Sequence, residues 1–313
     1  MIRDHAQTSD RIISASVMRK REAMAGYIYL LPWLLGFICF QAIPMIASLG
    51  LSFTDFDLVT KPSFLGIQNY KTAFMDDRLF WSSLKRTGHF VLLAVPLGIT
   101  GSLLAALLLN QRLFGKTLFR TFFFLPHLTP IVAAAILWKW IFQPSYGPLN
   151  YLLAKIGIEG PGWLGVPSWA IPSLVIISLW RGIGGNRMMI FLAGLQGIPK
   201  ELYEAAEIDG ANALHRFFNV TLPILSPTLF LNLVLTVIGS FKVFSSAFIA
   251  TSGGPIYATW FFSLHIYHNA FELFELGYAS ALAWVLLTIL LAFTYIQFKS
   301  SHRWVHYASE VRS

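Results

Sequence analysis

Apolar and polar positions along this chain are segregated into long blocks instead of alternating finely. Apolar runs read at about Tyr27–Leu51, Thr87–Leu109, Leu118–Phe142, Ala170–Leu195, Leu222–Phe248 and Leu276–Phe298. Each is near the roughly 20 residues that cross a hydrocarbon layer. The pattern predicts an all-α integral membrane fold of six transmembrane helices at 27–298, with polar segments at 1–26 and 299–313. Pro96, Pro126 and Pro130 lie inside the runs, where neighbouring helices can satisfy the backbone groups they free. The first run is too long for a signal-peptide core and reads as a retained anchor.

One polar island, residues 196–223, separates the fourth and fifth runs. Pro199 suits a first helical position, and Glu201 and Glu204 favour a helix N-terminus. Gly210 ends that helix where a left-handed residue would reverse the chain. A second short helix is expected from about Asn212 to Asn219, with Leu214, Phe217 and Phe218 on one side, and Pro223 opening the next apolar helix. The expected shape is a helix–turn–helix knob at a membrane surface.

The spacing Glu204-Ala205-Ala206, three residues, Gly210, nine residues, Val220-x-Leu222-Pro223 resembles the EAA loop of ABC importer permeases. That loop is usually written E-A-A-x3-G-x9-I-x-L-P, and Val220 for Ile is the one departure. The resemblance implies a coupling loop that docks into a cleft on a separate ATP-hydrolysing subunit, Glu204 making a polar contact and Gly210 the bend. Phe64-Leu65-Gly66-Ile67-Gln68-Asn69-Tyr70, Phe241-Lys242-Val243-Phe244 and Thr251-Ser252-Gly253-Gly254-Pro255 are similar to the maltose- and glycerol-phosphate-type permeases of the carbohydrate uptake branch. Ser245 departs from that branch, which often has Asp after the F-x-V-F run. What the family implies is a non-enzymatic subunit of an importer in the bacterial cytoplasmic (inner) membrane, working by alternating access. Its implied partners are a second homologous permease, two ABC ATPase subunits carrying ATP and Mg²⁺, and an extracytoplasmic solute-binding protein; the chain itself would hold no cofactor.

Composition agrees with a membrane protein: 56% of residues are hydrophobic and 12% charged, against about a quarter charged in soluble domains. Cys39 is the single cysteine, so an internal disulfide framework is excluded. The net charge of +8 sits beside the apolar runs, which is a topology signal and not a nucleic-acid footprint. With the N-terminus inside, thirteen Lys and Arg fall in inner segments (Arg3, Arg11, Arg19, Lys20, Arg21, Arg112, Lys116, Arg120, Lys200, Arg216, Lys299, Arg303, Arg312). Six fall outside (Lys61, Lys71, Arg78, Lys85, Arg86, Lys155), so both termini and the knob are expected to be cytoplasmic.

Every Asp and Glu lies outside the six runs, whereas Lys139, Arg181, Arg187 and Lys242 lie within them. Intramembrane charges cost at least a few kcal/mol by insertion scales and so face partners or wet cavities. Lys139 can snorkel; Arg187 suggests a gate or a structural role. Arg181 near mid-span and Lys242 in the outer third of helix five are candidates for a solute pathway or for structural pairing, joined by Asn232 and Ser245. A pathway without carboxylates implies an anionic cargo, for example an acidic oligosaccharide or a sugar-phosphate-like solute. His265 with His268, and His302 with His306, lack a third ligand at suitable spacing and read as surface aromatics, not as a metal site. Gly182-x-Gly184-Gly185 reads as close helix packing, and Trp138, Trp140, Trp163, Trp169 and Trp260 as an aromatic belt. An ion-coupled secondary transporter is the alternative, but it would place acidic residues at the midplane. A membrane enzyme is disfavoured, because the chain has no H-E-x-x-H, no G-x-S-x-G and no G-x4-G-K-[ST].

Overall fold

The computed structural model describes residues 22, 24–111 and 114–306. Among them the only β feature is an isolated bridge between Thr54 and Phe64. Arg3, Arg11, Arg19, Lys20, Arg21, Arg112 and Arg312 of the topology count lie outside the described residues.

Helix α1 (Met24–Leu51) is long and apolar, yet buries none of its most hydrophobic stretch; Tyr29 is 84% and Phe40 83% exposed. Helix α2 (Arg78–Asn110) is the central post. The Asp77 side chain caps it by accepting from the Leu79 and Phe80 N–H groups, which satisfies two donors a helix start leaves open. This cap starts the helix well before the predicted Thr87, and the helix passes Pro96 without ending. Its buried face carries Ala94, Gly98, Ser102, Ala105 and Ala106, small residues that let neighbouring backbones come close.

Three of the predicted spans are broken. The third is α3 (Lys116–Leu128) and α4 (Ile131–Ile141), bent by 95° at Thr129-Pro130. There Pro130 supplies no N–H and pushes the preceding residue out of the α region, so Thr129 is extended with ψ 127°. After α5 (Pro148–Lys155), the fourth is α6 (Pro167–Gly182) and α7 (Asn186–Gln196), parted at Gly182–Gly185. The knob begins with α8 (Lys200–Ile208), and α9 (Ala213–Phe241) leads out of it. Beyond α9 the fifth predicted span stops at Phe241, unwinds over 242–244 and restarts as the short α10 (Ser245–Thr251). Then come α11 (Phe262–Tyr267) with a π turn His268–Glu272, and α12 (Leu276–Ser301). Among the described residues four helices (α1, α2, α9, α12) are long and apolar enough to cross a membrane, five if α3 with α4 counts as one span.

The breaks divide the buried apolar residues in two. Val95, Ile99, Met188, Phe191, Leu225, Phe241 and Leu282 join α2, α7, α9 and α12 in one cluster. Phe90, Phe142, Trp163, Leu174, Ala247 and Phe261 join the middle of α2 to α6, α10 and the segments after α4 and before α11. Within lipid such clusters hold by close van der Waals packing and not by exclusion of water. After α12 the chain folds back onto α9, where the His306 N–H donates to Ser226 Oγ at 2.8 Å and the Trp304 ring meets Phe230.

Candidate functional site

Two regions carry the candidate residues, the knob and a polar cavity. In the knob, Pro199 stands one position earlier than expected, at the N-cap of α8 with ψ 135°. Glu204 and Ala205 are exposed and Ala206 half-buried on α8, and Gly210 makes the reversal at φ +77° with nothing near its Cβ position. Asn212 caps the second arm by accepting from the His215 N–H at 2.9 Å. That arm is not a separate short helix. Through a π turn at Phe217–Thr221 it continues into α9, so Leu222 and Pro223 lie within one helix instead of opening a new one.

The two arms are tied twice. Arg216 Nη1 donates to the Glu207 carboxylate, and the Tyr203 and Thr221 hydroxyls meet at 3.0 Å, with Thr221 buried. The ion pair is solvated and contributes no more than about 1 kcal/mol, so the buried hydroxyl contact and the continuous backbone hold the angle between the arms. Meanwhile Ile208, Leu214 and Phe218 point outward at 88%, 69% and 58% exposure. These apolar side chains lie exposed on an otherwise polar knob.

The four pathway candidates, Arg181, Asn232, Lys242 and Ser245, all line one cavity of about 480 Å³. All three breaks open onto it. His127 and Ile131 flank the first break, Arg181, Gly182 and Asn186 the second, and Lys242 to Ser246 occupy the third. Arg181 lies in the last turn of α6, at the break in the middle of the predicted fourth span, and Lys242 in an unwound stretch and not within a helix. Arg181 Nη2 donates at 3.1 Å to the Thr129 carbonyl, the very group that the Pro130 break leaves without a helical partner. Arg187, directly after the second break, lies against Gly98 and Gly182, where a Cβ would collide with its guanidinium.

Asn232 is fully buried; its Nδ2 donates to the Thr228 carbonyl at 3.2 Å, while Oδ1 has no partner among the described residues. One turn on, Thr236 Oγ1 is likewise buried and unpartnered. Buried acceptors left open cost about 1–3 kcal/mol each unless a ligand or water fills them. Among the described residues no carboxylate lines the cavity, while Arg181, Arg187, Lys242 and His127 do. The site can thus offer cations to an anion and amide and hydroxyl groups to a polyol.

Sequence reasoning passed over His127, Asn186 and Thr236. The first two become visible only once the helix breaks are known, because the breaks turn both toward the cavity. The Gly182–Gly185 run does pack closely, as expected: a Cβ on Gly184 would overlap the Phe123 carbonyl and one on Gly185 the His127 ring. It also ends a helix. His265 is a correction: it is 3% exposed and bonded to Asp77, whereas His268 stays half-buried beside Glu272.

Apolar helices broken around a polar cavity, with an exposed helical knob to one side, define a membrane transport subunit. Residues 98–305 match the family described as binding-protein-dependent transport system inner membrane component. The chain is 44% identical to the probable ABC transporter permease protein YesP of Bacillus subtilis, over 93% of this chain and 94% of that one. It is 34% identical to the trehalose/maltose transport system permease protein MalF of Thermococcus litoralis, over 91% and 96% respectively. Among solved structures it resembles a bacterial alginate ABC transporter, determined in complex with an alginate pentasaccharide-bound periplasmic protein, with TM-score 0.79, 26% identity and coverage of 91% and 96%. This chain belongs to the binding-protein-dependent transport system inner membrane component family, within its carbohydrate ABC importer permeases.

Proposed function

We propose that this chain is one of two permease subunits of a carbohydrate importer, with six membrane crossings and both termini in the cytoplasm. The broken pairs α3 with α4 and α6 with α7 each count as one crossing in that topology. The permease domain is residues 27–298, the coupling loop 196–223, and the flanking segments 1–26 and 299–313 are cytoplasmic. In this reading the knob docks on an ABC ATPase subunit through Glu204, Ala205, Ala206, Gly210, Leu222 and Pro223. ATP and Mg²⁺ are held by that partner, and an extracytoplasmic binding protein delivers the solute.

The observation that carries the reading is the continuity of α9. A single helix of 29 residues begins in the knob at Ala213 and ends at Phe241 beside the cavity, presenting Asn232 and Thr236 to it on the way. At about 1.5 Å per residue that is a lever of roughly 43 Å. Work done on the knob is thereby delivered to the cavity wall without a flexible joint, as alternating access needs.

The cargo we assign is an acidic oligosaccharide or a sugar-phosphate-like solute. Arg181, Arg187 and Lys242 around a cavity without carboxylates among the described residues support it, and so does the alginate carried by the similar transporter. Proteoliposomes holding this chain, its partner permease and its ATPase test both parts. A labelled acidic oligosaccharide should accumulate in preference to a neutral one of equal length. Preference for the neutral sugar would remove the anionic assignment, and uphill uptake without the ATPase would remove the coupling.

A further inference from the structure

At the end of α9 away from the knob, a second polar cluster is buried among three elements, and neither the cavity nor the knob uses it. Asp77 accepts at Oδ1 from the first N–H groups of α2 and at Oδ2 from two side chains. These are the Tyr278 hydroxyl of α12 at 2.6 Å and His265 Nε2 of α11 at 2.7 Å. The other ring nitrogen of His265 accepts: Trp260 Nε1–H and Asn269 Nδ2–H both approach Nδ1 at 3.3 Å. Asn269 is held in that orientation by donating from the same nitrogen to the His265 carbonyl at 2.8 Å. Two donors on Nδ1 and an acceptor on Nε2 assign the neutral Nε2–H tautomer. The same segment is bonded to its neighbours twice more, by the Phe262 N–H to Thr87 Oγ1 of α2 at 2.9 Å and by the Ser263 hydroxyl to the Phe241 carbonyl of α9 at 3.4 Å.

We infer that Asp77, His265 and Tyr278 form a protonation-sensitive latch, which fixes the segment 258–270 against the ends of α2, α9 and α12 remote from the knob while His265 is neutral and loosens that segment when it gains a proton. A proton on Nδ1 would face two N–H donors, so both contacts would be lost and Trp260 and Asn269 pushed away. Asp77 alone would then hold the ring. Burial pulls the His265 imidazole below its usual range, against the opposing pull of the Asp77 carboxylate. Burial also raises the Asp77 carboxyl, but the bonds from Tyr278 and His265 outweigh it and keep the group below the usual carboxylate range.

The sign follows. A depressed imidazole stabilises the fastened form above its ordinary pKa of about 6.5, and that stability is lost as pH falls from there toward the lower folded value. The other charged groups facing this region are Glu275 before α12, Asp55, Asp57 and Asp76 across the adjoining cavity, and His268 with its partner Glu272 on the same segment. The latch depends neither on the solute nor on ATPase docking, so it stands or falls apart from the transport reading.

The test uses the full chain in lipid nanodiscs. Deuterium exchange at the histidine C2 position, read by mass spectrometry, should show His265 exchanging slowly and titrating at lower pH than the exposed His215 and His302. Backbone exchange over residues 258–270, corrected for its intrinsic pH dependence, should rise by up to about tenfold per pH unit as pH falls from about 6.5 toward the His265 midpoint and level off below it. The variant His265→Gln keeps an amide donor for Asp77 and an oxygen acceptor for Trp260 but cannot titrate, so its exchange should stay flat. A His265 that titrates with the exposed histidines overturns the latch, as does a flat wild-type profile. An equal rise in His265→Gln does so too. If His265→Gln fails to fold, the two wild-type measurements decide alone.

Discussion

At the knob, Gly210 has open space where a Cβ would stand, and only its φ of +77° restricts a replacement; at the cavity, Gly184 has the Phe123 carbonyl where its Cβ would be. The two glycines answer to different physics. Around Gly210 the chain must turn tightly while leaving its outer face free, so a backbone dihedral sets the shape. Around Gly184 two broken spans are pressed together, so packing sets it. In the proposed function the knob is shaped to meet an ATPase subunit, whereas the cavity is held by contacts within the chain.

Substitutions can drive the two regions apart. The largest effect is expected for Gly184→Leu: it forces apart α3 and the α6–α7 junction, costs about 3 kcal/mol as severe overpacking does, and should abolish stable assembly in thermal unfolding of the purified complex. Unchanged thermal stability would show the contact to be soft. Next comes Gly210→Val, which places a β-branched residue in left-handed backbone at a cost of about 2 kcal/mol. ATPase co-purification should fall roughly 30-fold by quantitative pull-down, with membrane insertion intact, while Gly210→Asn, which tolerates that backbone, keeps most of it. A wild-type pull-down for Gly210→Val would break the comparison.

Arg181→Gln acts on the cavity alone. Losing a charged donor to the Thr129 carbonyl and a cation facing the solute should raise the apparent KM for an acidic oligosaccharide about tenfold, by the worth of a charge-assisted hydrogen bond. ATPase pull-down should not change. The smallest effect belongs to Glu207→Ala, since the solvated pair with Arg216 contributes less than about 1 kcal/mol. Transport should drop less than twofold, and a severe loss would mean that the pair, not the Tyr203–Thr221 contact, holds the arms.

How far the sequence could be read divides along the same line. The knob was legible because its signals are local: Gly210 for the reversal, glutamates in the first turn, and a spaced motif over twenty residues. The four cavity residues were also singled out, because Arg181 and Lys242 stood out against apolar runs, Asn232 could both donate and accept in mid-helix, and Ser245 stands where the resembling branch often has Asp. What hydropathy could not reveal is that three spans break. A window average over Leu118–Phe142 stays apolar across Pro130, and whether the freed Thr129 carbonyl can be tolerated depends on Arg181, fifty-two residues away. His265 was misjudged for the same reason: its burial is set by Asp77, 188 residues earlier, and no local pattern around His265 carries that information.

The unbroken run of α9 has one more consequence. Because no loop interrupts it, the rotational phases of its two ends are coupled. A residue added in the turn near Gly210 would be taken up outside the helix. The same residue added between Pro227 and Asn232 would swing everything beyond it by about 100°, turning the amide of Asn232 from the cavity toward a neighbour while the knob stayed where it was. In this subunit, length along that one segment is as tightly constrained as residue identity.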